Sequence, residues 1–174
     1  MRDEAAFVEF AEAVRGKLRR TAYLLCGDWD QASDHVQEGL IRVYVAWPRL
    51  TRAGREYAYA RKAVVSAFLD HARRRSSTEV PAESDRDVPS GQDVAESVAL
   101  RTALMSALTE LPSRQRACVV LRYFDDLSVA DTAAVLGCTE GTVKSQTSRA
   151  LASLRSTFEG SPICGLAAEG ATPW

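Results

Sequence analysis

The sequence predicts an all-α protein made of two small helical domains, and three observations lead to that prediction. Apolar residues recur at three- and four-residue steps along most of the 174-residue chain, which is the period of an amphipathic helix. No stretch shows the strict alternation of a half-buried β-strand. The segment over residues 76–97 is acidic, contains two prolines and has almost no large apolar side chains, so we expect a flexible linker. The predicted domains therefore cover residues 1–75 and 98–158, followed by a tail over residues 159–174.

The N-terminal domain is expected to contain three helices. The first carries one apolar stripe, made of Phe7, Phe10, Ala11, Val14, Leu18, Ala22 and Leu25. The second begins near Asp30, and Pro48 is expected to mark its end. The third runs from about Glu56 to Arg75 and ends in three arginines, which could bind duplex DNA or simply suit the helix dipole. Because no single stripe is wide enough to stabilise an isolated helix, the three helices must pack together.

The C-terminal domain has clearer helix boundaries. An apolar stripe extends from Leu100 to Leu111, and Pro112 stands at the start of the next helix, where its missing N–H costs little. Ser128 and Asp131 have the spacing of a capping box ahead of "VADTAAVL". Gly137 supplies the left-handed conformation of a helix exit, and the hydroxyl of Thr139 can cap the helix that follows. Two helices joined by this tight turn predict a helix-turn-helix.

The last helix has two chemically different faces. Four residues are expected to point inward, with Ala133 at the helix crossing: Val143, Ala150, Leu151 and Leu154. The outward residues and the helix start form the candidate DNA-reading surface, which comprises Thr139, Thr142, Lys144, Ser145, Gln146, Ser148 and Arg149. Gln can pair with adenine and Arg with guanine, whereas Lys and hydroxyl side chains suit phosphate oxygens. The alternative is an ordinary solvated helix face.

Overall charge and cysteine content restrict the possible functions. The net charge of −1 taken alone argues against a nucleic-acid-binding protein. The linker, however, holds six acidic residues and one arginine, so the rest of the chain is net basic. The four cysteines are far apart and neither histidine lies at ligand spacing from them, so we expect reduced thiols, no metal and no cofactor. No apolar run is long enough for a membrane span, which predicts a cytoplasmic protein without a membrane partner.

Two stretches resemble a known family. "LPSRQRACVVLRYFDDLSVADTAAVLGCTEGTVKSQTSRALASLR" resembles region 4 of bacterial sigma factors, and "ASDHVQEGLIRVY" with "YAYARKAVVSAFLDHARRR" resembles region 2. Only these two regions are present, as in the extracytoplasmic-function (ECF) group. The resemblance implies a non-enzymatic factor that binds core RNA polymerase and directs promoter recognition and transcription initiation. It also implies promoter DNA as a partner and an anti-sigma factor as a candidate partner, because many relatives have one and some lack one.

The resemblance also assigns candidate sites in the N-terminal domain. It implies polymerase contacts at Asp34, Gln37, Glu38 and Arg42, for which a solvated face is the alternative. It implies recognition of the minus-ten promoter element by the loop before the third helix and by that helix, through Arg52, Arg55, Tyr57, Tyr59, Arg61, Lys62 and Ser66. The basic side chains can follow phosphates, and an aromatic pocket can hold an unstacked base. Either tyrosine could instead belong to the core.

The region 4 stretch departs from the common ECF pattern at three positions. Thr132 and Thr147 stand where large aliphatic residues are usual, and they could loosen the helix crossing or pair with each other. Gln146 replaces a frequent arginine, so it removes a charge and offers adenine readout. The promoter sequence therefore cannot be copied from relatives.

Two other functions compete with this interpretation. A stand-alone helix-turn-helix regulator would use the same surface of the last helix but would leave the region 2 residues without a role. A small hydrolase has little support, because the sequence has no phosphate-binding glycine loop or nucleophile elbow, and His35 and His71 have no evident triad setting.

Overall fold

The computed structural model describes residues 4–52, 54–77 and 92–159 of the chain. Every element in this described part is helical: α1 Glu4–Cys26, α2 Trp29–Leu50, α3 Glu56–Ser77, α4 Gln92–Glu110, α5 Ser113–Val119, α6 Val129–Leu136 and α7 Glu140–Glu159, with a π-helical turn over Val120–Phe124. The all-α prediction is confirmed. Helix α3 extends two residues into the predicted linker and α4 begins at Gln92, while the rest of the linker and most of the tail lie outside the described residues.

The N-terminal unit, α1–α3, has a core made by the predicted apolar stripes. Leu18 and Ala22 of α1, Val43 of α2 and Val64 of α3 are buried in one cluster. Helices α2 and α3 approach closely at Gly39, where an added Cβ would lie 2.7 Å from a Val64 methyl group. Glycine at this position therefore allows the two helix backbones to come together.

The boundary between α1 and α2 follows from local hydrogen bonding. Gly27 ends α1 with a φ of 77°. Asp28 is the N-cap of α2, since its Oδ1 accepts hydrogen bonds from the backbone N–H groups of Asp30 and Gln31, both at 2.8 Å. The two helices can thus reverse direction over very few residues.

Two sequence-based predictions about helix ends and stripes are wrong. Pro48 lies inside α2, which continues to Leu50, and the Thr51 N–H donates to the carbonyl of Trp47 at 3.1 Å. A proline this close to the C-terminus removes one hydrogen bond and does not stop the helix. Leu100, expected in the α4 core stripe, is 45% exposed because the core against which α4 packs begins further along the helix, at Leu104.

The predicted caps of the C-terminal unit, α4–α7, are present. Ser128 Oγ accepts a hydrogen bond from the Asp131 N–H at 3.0 Å and donates to the Asp131 carboxylate at 2.6 Å. Gly137 has a left-handed φ of 62°, and Thr139 Oγ1 accepts a hydrogen bond from the Thr142 N–H at 3.1 Å. These bonds satisfy backbone donors that a helix start otherwise leaves free.

The helix predicted to start at Pro112 begins at Ser113 and widens into a π-helical turn at its end. The Asp125 N–H donates to the carbonyl of Val120 at 3.0 Å. The consecutive side chains of Val120 and Leu121 are both fully buried. Asp126 follows with a φ of 55°, so the chain changes direction sharply before α6.

A shared hydrophobic cluster joins the two units. Leu25 of α1 and Val65 and Phe68 of α3 pack with Cys118 and Leu121 of the C-terminal unit. Ala60 and Val64 of α3 pack in the N-terminal cluster, whereas Val65 lies on a second buried face of the same helix. The two units are therefore in direct contact in this structure.

Arg116 of α5 strengthens this junction through polar contacts. Its guanidinium donates hydrogen bonds to the carbonyls of Leu25 at 2.5 Å and Thr109 at 2.6 Å, and it lies 5.8 Å from the Phe68 ring centroid. Burial lowers the pKa of Arg116. Carbonyl oxygens hold the charge, and no carboxylate in the described part of the chain pairs with it.

Candidate nucleic-acid interface

Helices α6 and α7 form the predicted helix-turn-helix. Ala133 and Leu136 of α6 and Val143 of α7 lie in one buried cluster, and Ala150 is fully buried against α4 and α5. Small residues at the crossing let the two helices approach closely, while the turn at Gly137 fixes the angle between them. This packing determines which side of α7 faces outward.

The outward side of α7 carries the side chains predicted to read DNA. Lys144, Ser145, Ser148 and Arg149 are exposed, as is Thr139 at the helix start, whereas Thr142 and Gln146 are partly buried. Ser145 donates a hydrogen bond to the Thr142 carbonyl at 3.0 Å, so its hydroxyl is turned toward its own helix. A short, polar and basic face on a projecting helix has the chemistry that major-groove binding requires.

The two unusual threonines do not pair with each other. Thr132 is fully buried and donates to the Ser128 carbonyl at 2.8 Å, one turn earlier in α6. Thr147 is also buried, and its hydroxyl has no hydrogen-bond partner. The single hydrogen of the Thr132 hydroxyl is therefore used within α6.

The loop before α3 and the first turns of that helix hold the second predicted surface. Arg52, Arg55, Tyr59 and Lys62 are exposed, and Arg52 Nε donates to the Pro48 carbonyl at 2.9 Å. Ser66 is partly buried. The exposed members of this group lie near one end of α3 and can face a single ligand.

Tyr57 lies against the N-terminal core and between two cations. Its ring centroid is 5.1 Å from Lys17 Nζ and 5.1 Å from the Arg61 guanidinium carbon. Its hydroxyl is buried without a hydrogen-bond partner, and burial, together with the nearby Asp125 carboxylate, raises the pKa of Tyr57. Tyr59, which is 38% exposed, is the more accessible of the two tyrosines.

Arg61 faces the C-terminal unit. Its Nη1 lies 4.0 Å from Oδ2 of Asp125, and the two side chains are 13% and 5% exposed. The other Asp125 oxygen accepts a hydrogen bond from Thr21 Oγ1 of α1 at 2.7 Å. Arg61 therefore differs from the exposed Arg52 and Arg55 of the preceding loop, because its charge already faces Asp125.

The predicted polymerase-binding residues share one face of α2. Asp34, Gln37 and Glu38 are exposed, and Arg42, which is partly buried, forms an ion pair with Glu38 one turn away. The same face carries Ile41 and Val45, which are 58% and 66% exposed. An exposed mixture of charges and branched aliphatic side chains is typical of a protein-binding surface.

A small open pocket of about 110 Å³ lies beside this face, between α2 and α3. Its lining includes Asp34, Glu38 and the rings of His35 and His71, whose centroids are 5.5 Å apart. Burial, followed by the neighbouring His71, lowers the pKa of His35. Within residues 4–52, 54–77 and 92–159, no group of three His, Cys, Asp or Glu side chains could hold a metal ion.

Comparisons with known proteins show the family to which the chain belongs. The model for Sigma-70 region 2 matches residues 10–78, and that for Sigma-70, region 4 matches residues 101–154. The RNA polymerase sigma-E factor of Streptomyces avermitilis is 39% identical over 155 residues, which cover 87% of this chain and 86% of the relative. The ECF RNA polymerase sigma factor SigM of Mycobacterium tuberculosis is 32% identical over 152 residues, which cover 87% of this chain and 76% of the relative.

The chain belongs to the ECF sigma factor family. Its fold agrees: the sigma factor RpoE of Bartonella quintana, solved with the anti-sigma factor NepR, superimposes with a TM-score of 0.70 at 24% identity over 90% of this chain and 98% of that one. A promoter-directing role in transcription initiation follows from family membership. None of the helices in the described part is long and apolar enough to cross a membrane.

In this sigma factor, region 2 corresponds to α1–α3, and region 4 extends from α4 to α7. Our sequence interpretation did not assign Ile41, Val45 or Asp125 to any surface. A signal existed for the first two, since they are apolar residues of α2 that fall outside its inward stripe. No local pattern identifies Asp125, because its partners are distant along the chain.

Proposed function

We propose that this sigma factor divides its work among three surfaces. The exposed face of α2 binds core RNA polymerase, α7 reads the minus-35 element in the major groove, and the loop before α3 together with that helix reads the minus-ten element. The proposal rests mainly on the exposed basic face of α7. The buried contacts between α6 and α7 fix the orientation of this face. The polymerase supplies the chemistry, so the factor itself is not an enzyme, and it acts in the cytoplasm.

Each surface has a different share of recognition. Arg149 and Gln146 on α7 have the donors and acceptors to pair with base edges, and Lys144 suits a phosphate. At the other site, Arg52, Arg55 and Lys62 can follow the backbone while Tyr59 offers an exposed ring for stacking. Several modest contacts acting together raise the affinity, and each can be released separately when elongation begins.

The α2 face suits polymerase because it combines charge with apolar area. Asp34, Glu38 and Arg42 can fix the register and increase the encounter rate, whereas Ile41 and Val45 provide surface that gains from burial. We propose an anti-sigma factor as a further partner, in keeping with the NepR complex of the similar Bartonella protein.

The minus-35 role is tested by replacing Arg149 with alanine. We expect a loss of about 1–3 kcal/mol in promoter binding by the holoenzyme and relaxed preference at one promoter position. Arg155→Ala is the matched control, since it removes the same charge from an exposed position further along α7. The measurement is transcript start-site sequencing with reconstituted core polymerase. An equal loss for both variants across all promoter sequences would contradict base reading by Arg149.

The polymerase role is tested by replacing Gln37 and Glu38 together with alanine, and separately by Ile41→Ser. Both variants should weaken binding to core polymerase in a pull-down without changing the circular dichroism spectrum, because the side chains are exposed. Val8→Ser on α1, which is 47% exposed, is the control for the apolar change. If these α2 variants bind core polymerase as the unmodified chain does, the surface has another role.

A further inference from the structure

Asp125 connects the two units at a position that the promoter-binding role does not explain. It follows the π-helical turn of the C-terminal unit, yet its carboxylate is buried against α1 and α3 of the N-terminal unit. One oxygen accepts the hydrogen bond from Thr21 Oγ1 at 2.7 Å, and the other faces Arg61 at 4.0 Å. A single carboxylate thus contacts two of the three helices of the opposite unit, α1 and α3.

The polar groups around this carboxylate are only partly satisfied. Asp125 Oδ2, Arg61 Nε and the Tyr57 hydroxyl are all buried without a hydrogen-bond partner among the residues that the structure describes. A buried ion pair gains little net stability when its remaining donors and acceptors are unpaired. The closed arrangement consequently holds groups that would gain from a better partner, such as water or an anionic ligand.

In this arrangement Arg61 faces the Asp125 carboxylate, and a DNA phosphate would be a chemically similar partner. A carboxylate and a phosphate both offer two anionic oxygens to a guanidinium. Arg61 belongs to the helix that we propose reads the minus-ten element, so this inference rests on the proposed function. While Asp125 faces Arg61, DNA phosphate cannot take the same place.

We propose that Asp125 is an intramolecular competitor of DNA: its carboxylate occupies the phosphate-binding position of Arg61 and holds the two units closed. Thr21 fixes the carboxylate from α1, and the cluster that contains Phe68 and Leu121 supplies the apolar contact between the same two units. Opening the molecule exposes Arg61 to the nucleic-acid backbone. The closed free protein therefore binds the minus-ten strand more weakly than an open one.

The test uses the full chain and a fluorescent single-stranded oligonucleotide that carries the non-template minus-ten sequence of a promoter mapped with the reconstituted enzyme. Asp125→Asn keeps an oxygen for Thr21 but presents an uncharged amide to Arg61. We expect about tenfold tighter oligonucleotide binding, the size of effect that losing one charged hydrogen-bonding partner produces. The slope of log affinity against log salt should steepen by about 0.7 for one added phosphate contact to a single strand.

Three further variants make the result specific. Asp126→Asn removes the same charge from the adjacent exposed residue and should change neither affinity nor salt slope. Arg61→Gln in the Asp125→Asn background should abolish the gain. Thr21→Val removes the hydroxyl donor without a charge change and should also tighten binding, and small-angle scattering should show a larger radius of gyration for both opening variants.

Equal affinities for the unmodified chain, Asp125→Asn and Thr21→Val would overturn the proposal, as would an equal gain for Asp125→Asn and Asp126→Asn. Circular dichroism identifies a variant that fails to fold, in which case the other variant decides. Failure of the proposed function would look different, because the unmodified chain would then not start transcription with core polymerase at all.

Discussion

Thr147 carries a buried hydroxyl that has no hydrogen-bond partner within residues 4–52, 54–77 and 92–159. Valine has almost the same shape, so Thr147→Val removes an unpaired polar group without opening a cavity. We predict that this variant raises the free energy of unfolding by about 1–2 kcal/mol. Urea denaturation measures the change, and an equal or lower stability would show that the hydroxyl is bonded in solution. Thr132→Val is the comparison and should not stabilise, because its hydroxyl already donates to Ser128.

His35 gives the fold a predictable dependence on pH. Its ring is 4% exposed and faces His71 as well as Asp34 and Glu38, and burial lowers its pKa from the ordinary value of 6.5. The folded protein therefore binds fewer protons here than the unfolded chain does, so stability falls as the pH drops below about 6.5. His35→Gln should show a shallower loss between pH 6.5 and the acid range. Identical pH profiles of the unfolding free energy would contradict this account.

Cys26 and Cys118 are free thiols whose burial raises the pKa of each to about 11. The thiolate is the reactive form, so both should react slowly with iodoacetamide in the folded protein at pH 8. Adding urea should increase the rate for both sites, as followed by mass spectrometry of the modified peptides. Fast labelling of Cys118 in the native protein would mean that the cluster between the two units opens readily.

At the scale of the element, the caps decide whether the short helix α6 keeps its position. Ser128 satisfies the Asp131 N–H and orients its carboxylate. We predict that Ser128→Ala costs about 1 kcal/mol of unfolding free energy. Ser148→Ala, at an exposed position in the middle of α7, should leave the unfolding free energy nearly unchanged. Equal effects in thermal denaturation would mean that the cap contributes nothing.

Local chemistry allowed most elements to be predicted from the sequence. The caps at Ser128 and Thr139, the exit at Gly137 and the outward face of α7 depend on residues only a few positions apart. We did not predict that α2 continues past Pro48. The rule that proline ends a helix does not specify how many residues after the proline stay helical. The π-helical turn was missed because it depends on the packing of Val120 and Leu121 in a distant core.

At the scale of the whole molecule, the contact between the two units could not be predicted. Val65 of α3 was not predicted to be buried, and its partners Cys118 and Leu121 are about fifty residues away along the chain. The ion pair between Arg61 and Asp125 likewise joins residues that are distant along the chain. Sequence patterns report which side chains are apolar and how they are spaced within an element, but they do not report which elements meet.

The shared cluster predicts that both units lose stability together. Phe68 is 5% exposed and contacts the cluster that spans α1, α3 and the C-terminal unit. Phe68→Ala should cost about 3–5 kcal/mol. In calorimetry the unmodified chain should unfold in one main transition that moves as a whole in the variant. Two separate transitions, with only the earlier one shifted, would show that the units fold independently.

This chain recognises promoters as part of RNA polymerase. The most direct measurement is fluorescence anisotropy of a labelled duplex promoter, titrated with the chain alone and with the chain plus core polymerase. We predict weak binding by the chain alone and tight, sequence-dependent binding only when core polymerase is present, reduced by Arg149→Ala. Tight binding by the chain alone, unchanged by core polymerase, would contradict the account and identify a stand-alone regulator.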